Sequence, residues 1–225
     1  MNILVISDVH NDVETMMVYI DKLALLDFDV VVVPGDFTDV NVPKGFKQTD
    51  IGRLILEELN SLKKPILALP GNQDKELIPV FEEMGVTLHG VGKIIENVGF
   101  YGFGGAATPF GTSFEPTERE IKLGLENAYN MVKKSGQKIQ VTHNPPARTK
   151  LDKIASGAHV GSEVVRKFIE ERQPDVAICA HIHEARGVDD LGTTKMVNSG
   201  RFPEGYCGFI SIGREKTSAK IISLI

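Results

Sequence analysis

Apolar and polar positions follow two alternating rhythms along the chain. Residues 2–7 carry a short apolar run, Ile3 to Ile6, of the kind a strand buried on both faces requires. From 13 to 26 the spacing changes. Met16, Met17, Ile20, Leu23 and Leu26 recur at helical intervals, and Asp12 sits where its carboxylate can cap the first turn. The exchange then repeats. Residues 29–33 predict a strand closed by Pro34-Gly35, 49–62 a helix, 65–69 a third strand and 75–84 a short helix. Residues 86–103, rich in Val, Ile and Gly, predict shorter strands. A helix over 118–134, a strand over 138–142, a helix over 161–171 and a strand over 175–179 follow. The remainder reads as short strands broken by turns such as Pro203-Glu204-Gly205. Such βα alternation followed by β-rich segments specifies an α/β fold with a mixed sheet. No repeat, low-complexity tract or linker interrupts it, so a single domain over 1–225 is expected.

Composition narrows the classes. Apolar residues make up 42% of the 225 and charged residues 24%, an ordinary globular mixture that excludes disorder, collagen and coiled coil for the whole chain. The formal net charge of −5 argues against a general nucleic-acid duplex face. There is no apolar run long enough for a membrane span, and the N-terminus lacks the basic start and long apolar core of a signal peptide. Cys179 and Cys207 lie in apolar stretches and read as reduced core residues. A cytoplasmic protein without a membrane partner is the expectation.

The chemistry gathers at strand ends. The first predicted strand runs into Asp8-Val9-His10, the second into Gly35-Asp36, the third into Gly71-Asn72, the fourth into His143 and the fifth into His181-Ile182-His183. Open α/β sheets bind ligands in the crevice at the carboxyl ends of their strands, so these residues would converge. Residues two apart in extended backbone share a direction, which lets Asp8 with His10, and His181 with His183, face one centre. Four imidazoles, two carboxylates and one amide oxygen are too many for one tetrahedral zinc but suit two metals if a carboxylate bridges. Mixed nitrogen and oxygen donors without thiolate favour Mn, with Fe, Zn, Ni or Co as alternatives. Two divalent ions bring about +4; two carboxylates and a hydroxide remove about three of those charges, leaving a centre that attracts an anion such as a phosphate ester.

Asp8-x-His10, Gly35-Asp36, Gly71-Asn72-x-Asp74, His143 and His181-x-His183, in that order, resemble the calcineurin-like metallophosphoesterases. The stretches His143-Asn144-Pro145-Pro146, Gly161-Ser162 and His181 to Gly187 look most like the predicted phosphoesterases related to cyclic-AMP phosphodiesterase. The resemblance implies a four-layer α/β/β/α sandwich with mixed sheets. It implies that Asp8, His10 and His183 hold one metal, that Asn72, His143 and His181 hold the other, and that Asp36 bridges them. A hydroxide shared by the metals would attack the phosphorus of a small ester, diester ahead of monoester. Asp74 would stand behind the ligands and orient a donor. The alternative is a weakly active or non-catalytic interaction scaffold on the same fold. A homo-oligomer is left open.

Two positions depart from the family pattern. Gln73 stands where the family usually has a His taken as the leaving-group acid; an amide can donate a hydrogen bond but cannot deliver a proton. Ala180 replaces the Gly that commonly precedes the His-x-His pair, and its methyl could narrow the second metal site. Further candidates for gripping phosphate are Asn11, Arg148 and Arg186, with His159 as a substitute acid. Gly102-Phe103-Gly104-Gly105-Ala106-Ala107 matches a dinucleotide fingerprint, but no helix opens after it, so a strand end with a loop near the site is expected. His89 reads as a surface or structural histidine. Phe100, Phe103, Phe110 and Phe114 could stack on a base, though core packing and loop anchoring explain them more simply.

Overall fold

The computed structural model describes residues 1–213 and 216–225. Its strands are β1 (Asn2–Val5), β2 (Val30–Val33), β3 (Ile66–Ala68), β4 (Gly92–Ile95), β5 (Val98–Phe103), β6 (Gln137–Thr142), β7 (Val176–Cys179), β8 (Gly187–Leu191), β9 (Thr194–Asn198), β10 (Tyr206–Ile212) and β11 (Thr217–Ser223). Its α-helices are α1 (Val13–Ala24), α2 (Gln48–Asn60), α3 (Ile78–Glu83), α4 (Glu118–Val132) and α5 (Glu163–Arg172). Asp12 caps α1 as its position predicts, accepting from the Thr15 amide at 3.0 Å. The segment 75–84 is not one helix: Lys75–Leu77 forms a 3₁₀ turn and α3 follows it. Pro79 explains the break, since proline fits only the first turn of a helix.

Two mixed sheets result. One has the order β11-β10-β1-β2-β3 and the other β4-β5-β6-β7-β9-β8. Strands β1, β2 and β3 run parallel, as do β5, β6, β7 and β9. The period of two along each strand sorts the core into layers. Ile3, Val5, Val30, Val32 and Leu67 face Phe100, Ile139, Val141, Ile178 and Val197 between the sheets. On the outer side of the first sheet, Leu4, Val31, Val33 and Ile66 pack with Met16, Leu23, Ile55 and Phe81 of the helices α1, α2 and α3. On the outer side of the second, Tyr101, Ala177 and Cys179 pack with Leu125, Ala128, Val165 and Phe168 of α4 and α5. Helices, sheet, sheet and helices form the α/β/β/α sandwich that the resemblance implies. Cys179 and Cys207 are buried and free. Among the described residues, no helix is long and apolar enough to cross a membrane.

This layering places the site. The parallel strands of both sheets end at one edge, and their loops continue to pair beyond it. The Asp8 amide donates to the Gly35 carbonyl, His10 to Asp36 and Asn11 to Phe37, each at 3.1 Å. In the second sheet the Ala180 amide donates to the His143 carbonyl at 3.0 Å.

Candidate metal centre

The first sheet delivers Asp8, His10, Asp36 and Asn72 to this edge, and the second delivers His143, His181 and His183. Their donor atoms collect in two groups. In each of the triads Asp8, His10, His183 and Asp36, His143, His181, all ligating atoms lie within 4.8 Å of one another. The Asn72 amide oxygen joins the second triad, 3.0 Å from His143 Nε2. Asp36, a member of the second triad, also reaches toward the first. Its Oδ2 is 3.8 Å from His10 Nε2 and 3.5 Å from His143 Nε2.

Local backbone strain accompanies this convergence. Asp8 (φ 54), His10 (φ 51), Asp36 (φ 50) and His181 (φ 73) all occupy the left-handed region. Each costs about 1–3 kcal/mol, and Asp and His tolerate the conformation better than most residues. The loop-to-loop hydrogen bonds hold them there. Ala180 is buried, but its φ is not positive, so its methyl meets no conformational penalty; the strain falls on His181.

Glycines permit the closest approach. A Cβ on Gly71 would overlap Asp36 Oδ1, and one on Gly35 would come within 2.7 Å of His143 Nδ1. Behind them Asp74 is fully buried. Its carboxylate accepts from the amides of Phe37, Thr38 and Gly71 and from the Thr38 hydroxyl, at 2.9–3.0 Å. Asp74 therefore positions the backbone that carries Asp36 and Asn72, rather than a ligand side chain. Burial and the neighbouring Asp36 charge push its pKa up to about 6, against those donors.

The imidazoles are fixed by their other nitrogens. His10 Nδ1 meets Asp39 Oδ1 at 2.7 Å, and His143 Nδ1 donates to the Pro34 carbonyl at 2.8 Å. Each Nε2 is thereby aimed at the cluster, the arrangement that orients histidine ligands. Asp39 was not visible as a site residue in the sequence. Its only signal is that it lies in the same loop, three residues after Asp36.

Electrostatics match this placement. Burial pushes the Asp36 carboxyl up, but His143, His10 and the Gln73 amide outweigh it and bring it down to about 2. Burial pushes His143 down, yet Asp36, Asp8 and the Pro34 carbonyl hold it at about 9. His181 is pushed down to about 4 by burial and by His143. The His10 pKa is raised, since Asp39 and Asp36 overcome its burial. Cation binding here would release protons from the imidazoles.

The residues fit a pair of divalent cations. Asp8 receives a hydrogen bond from Ser7 on Oδ2. Its buried Oδ1 has no hydrogen-bond partner and lies 3.3 Å from His183 Nε2. His10 Nε2 and His183 Nε2 face each other at 3.1 Å. A buried carboxylate oxygen without a donor, ringed by convergent imidazole nitrogens, is the donor chemistry a cation satisfies.

Of the other candidates, one stays at the site. Gln73 lines the cavity over the cluster. Asn11 does not: its amide donates to the Asn41 carbonyl and accepts from the Asp39 amide, both at 3.1 Å, so it braces the loop that holds His10. Arg148 pairs with Glu163. Arg186 pairs with Glu204 at 3.0 Å and lies 3.5 Å from the centre of the Tyr206 ring. His159 binds the buried Asp152 at 2.7 Å. None of these four is on the cavity wall. Gly102 to Ala107 is a strand end and loop, with Ala107 on the wall. His89 is structural. Its Nδ1 accepts from the Gly104 amide at 3.0 Å, and its ring packs on Phe103 and Phe114.

A family model described as calcineurin-like phosphoesterase matches residues 1–185. Uncharacterized protein MJ1162 of Methanocaldococcus jannaschii is 37% identical over 186 residues, 79% of either chain. TT1561 of Thermus thermophilus has a similar structure, with a TM-score of 0.70 and 18% identity over 97% of both chains. A dimetal phosphatase from Danio rerio superposes with a TM-score of 0.65 and 10% identity, over 100% of this chain and 99% of its own.

Two outcomes are expected. Gly71→Ala should displace Asp36 and lower the bound-metal stoichiometry measured by elemental analysis, while the far-ultraviolet circular dichroism stays native. The second concerns acid stability. Burial pushes His89 down from 6.5 to about 4, so the unfolded chain takes up this proton first. Stability is therefore lost as pH falls through that window. His89→Gln, whose amide oxygen can still accept from Gly104, should flatten that part of the stability profile in urea titrations at successive pH values.

Proposed function

Because the chain belongs to the calcineurin-like phosphoesterase family, we propose that it hydrolyses a small phosphate ester with two divalent cations, manganese first among them, held by Asp8, His10, Asp36, Asn72, His143, His181 and His183. The observation that carries this reading is that Asp36 Oδ2, a member of the second donor group, also lies 3.8 Å from His10 Nε2 of the first. The likeness to a dimetal phosphatase is consistent with it.

When bound, such a cation pair supplies Lewis acidity and a water acidic enough to act as nucleophile near neutral pH. The chain does the rest. Asp36 would bridge the pair, while Asp39 and the Pro34 carbonyl keep His10 and His143 in the ligating tautomer. Asp74 fixes the backbone on either side. Gln73 faces the substrate and can steady a phosphoryl oxygen or the leaving oxygen by hydrogen bonding. It holds no proton to give, so leaving groups that need protonation should be turned over slowly. We favour a phosphodiester over a monoester, on the resemblance of the His143 and His181 stretches to the cyclic-AMP phosphodiesterase-related group.

The test is hydrolysis of bis-p-nitrophenyl phosphate by metal-stripped protein reloaded with Mn²⁺. Turnover that requires Mn²⁺ and disappears in Asn72→Ala is expected. No turnover with two ions bound would favour the scaffold alternative. Asp36→Ala should lose both ions; full metal content in that variant would overturn the bridging assignment. Gln73→His should raise turnover of alkyl esters more than of nitrophenyl esters, up to the roughly 10²–10⁴-fold that general acid catalysis contributes. Equal effects on both classes would sink the missing-acid argument.

A further inference from the structure

The cavity above the cluster has a volume of about 510 Å³. Its floor is polar, made of His10, Asp36, Asn72, His181 and His183. Its walls are not. One is the segment after β5, with Ala107, Pro109 and Phe110; the other comes from the segment between β6 and α5, with Ile154 and Val160. Among the described residues that line it there is no lysine or arginine, and the single charged side chain besides Asp36 is Glu184.

We infer that this cavity selects phosphate esters carrying one phosphoryl group and an uncharged, flat, apolar organic group, and that Phe110 is the residue that grips that group. The inference rests on the hydrolase reading and deepens it.

Charge disfavours substrates with a further anionic group. A second phosphate or a carboxylate on the substrate would be removed from water with no cation to receive it and with Glu184 nearby, an arrangement that weakens binding. An apolar ring meets the opposite situation. Phe110 is 86% exposed and Val160 is 42% exposed, so both carry apolar surface that a bound ring would cover. Of the four phenylalanines that could stack on a base, Phe100 is fully buried between the sheets, and only Phe110 lines this cavity.

The walls are held in place. The Glu115 carboxylate accepts from the Thr108 and Thr112 hydroxyls at 2.6 and 2.7 Å and from the Thr112 amide, closing the segment that presents Phe110. The Phe114 amide donates to the Asn72 carbonyl at 2.9 Å, tying that segment to a ligand loop. Opposite, the Ala155 amide donates to Glu184 at 3.2 Å. Segments already closed by hydrogen bonds need less ordering when an apolar ring binds between them.

The test compares two diesters with the same p-nitrophenolate leaving group, one bearing a methyl and the other a naphthyl group, on Mn²⁺-loaded protein. The wild type should prefer the naphthyl ester in kcat/KM, and Phe110→Ala should reduce that preference about tenfold, the order expected for losing one apolar contact surface. A carboxyphenyl diester should be a poor substrate that Glu184→Gln improves, since the amide removes the charge and can still accept from Ala155. A second readout does not depend on turnover. Binding of the uncharged dye N-phenylnaphthylamine to metal-free protein, followed by fluorescence, should weaken about tenfold in Phe110→Ala. Turnover with an unchanged ester preference and unchanged dye affinity would overturn the inference and leave the hydrolase reading intact. Failure of the hydrolase reading looks different: wild-type protein with two ions bound would release no p-nitrophenolate from either ester, which removes the substrate assignment along with it.

Discussion

The Asp74 carboxylate receives four donors from the loops after β2 and β3. A buried carboxylate satisfied in this way is a strong local constraint, since removing any one donor would leave it short of partners in a low-dielectric setting. It clamps Gly71 against Asp36, in a space that admits no side chain at residue 71. Asp36 in turn accepts from the Gln73 amide and keeps its second oxygen turned toward His10 and His143. The placement of Asp36 within reach of both His10 and His143 thus follows from backbone geometry.

Around that clamp the protein gathers several unfavourable features in one place. Left-handed non-glycine backbone, a buried carboxylate oxygen without a donor, and imidazoles turned nitrogen to nitrogen all occur within one edge of the sandwich. Each is unfavourable in isolation. Their coincidence at the carboxyl ends of parallel strands is what a site looks like when stability is given up locally for binding.

Much of this could be read from the chain. The apolar rhythms located the helices and most strands to within a few residues, and the ligand-type residues at strand ends stood out because strand direction fixes where their loops meet. The four layers came from family resemblance; periodicity alone yielded only an α/β fold. What stayed hidden depends on contacts between distant segments. Asp39 looks like any loop carboxylate until His10 is beside it. Arg148, Arg186 and His159 look available for phosphate until Glu163, Glu204 and Asp152 are found next to them. The cavity walls come from segments about residues 110 and 155, which no local pattern joins.

The place of β1 in its sheet also governs how the molecule comes together. β1 lies between β2 and β10, and the side chains of Asn2 and Ser211 are hydrogen-bonded across a separation of 209 residues. Closing a loop of that length is slow, because the chain entropy must be surrendered before the pairing is gained. The strand that leads into Asp8 and His10 thus lacks one neighbour until β10 has been made. A nascent chain emerging from the ribosome carries Asp8, His10, Asp36 and Asn72 well before His181 and His183 exist to face them. The donor set that a cation pair would need is therefore complete only once the segment after β7 has been made.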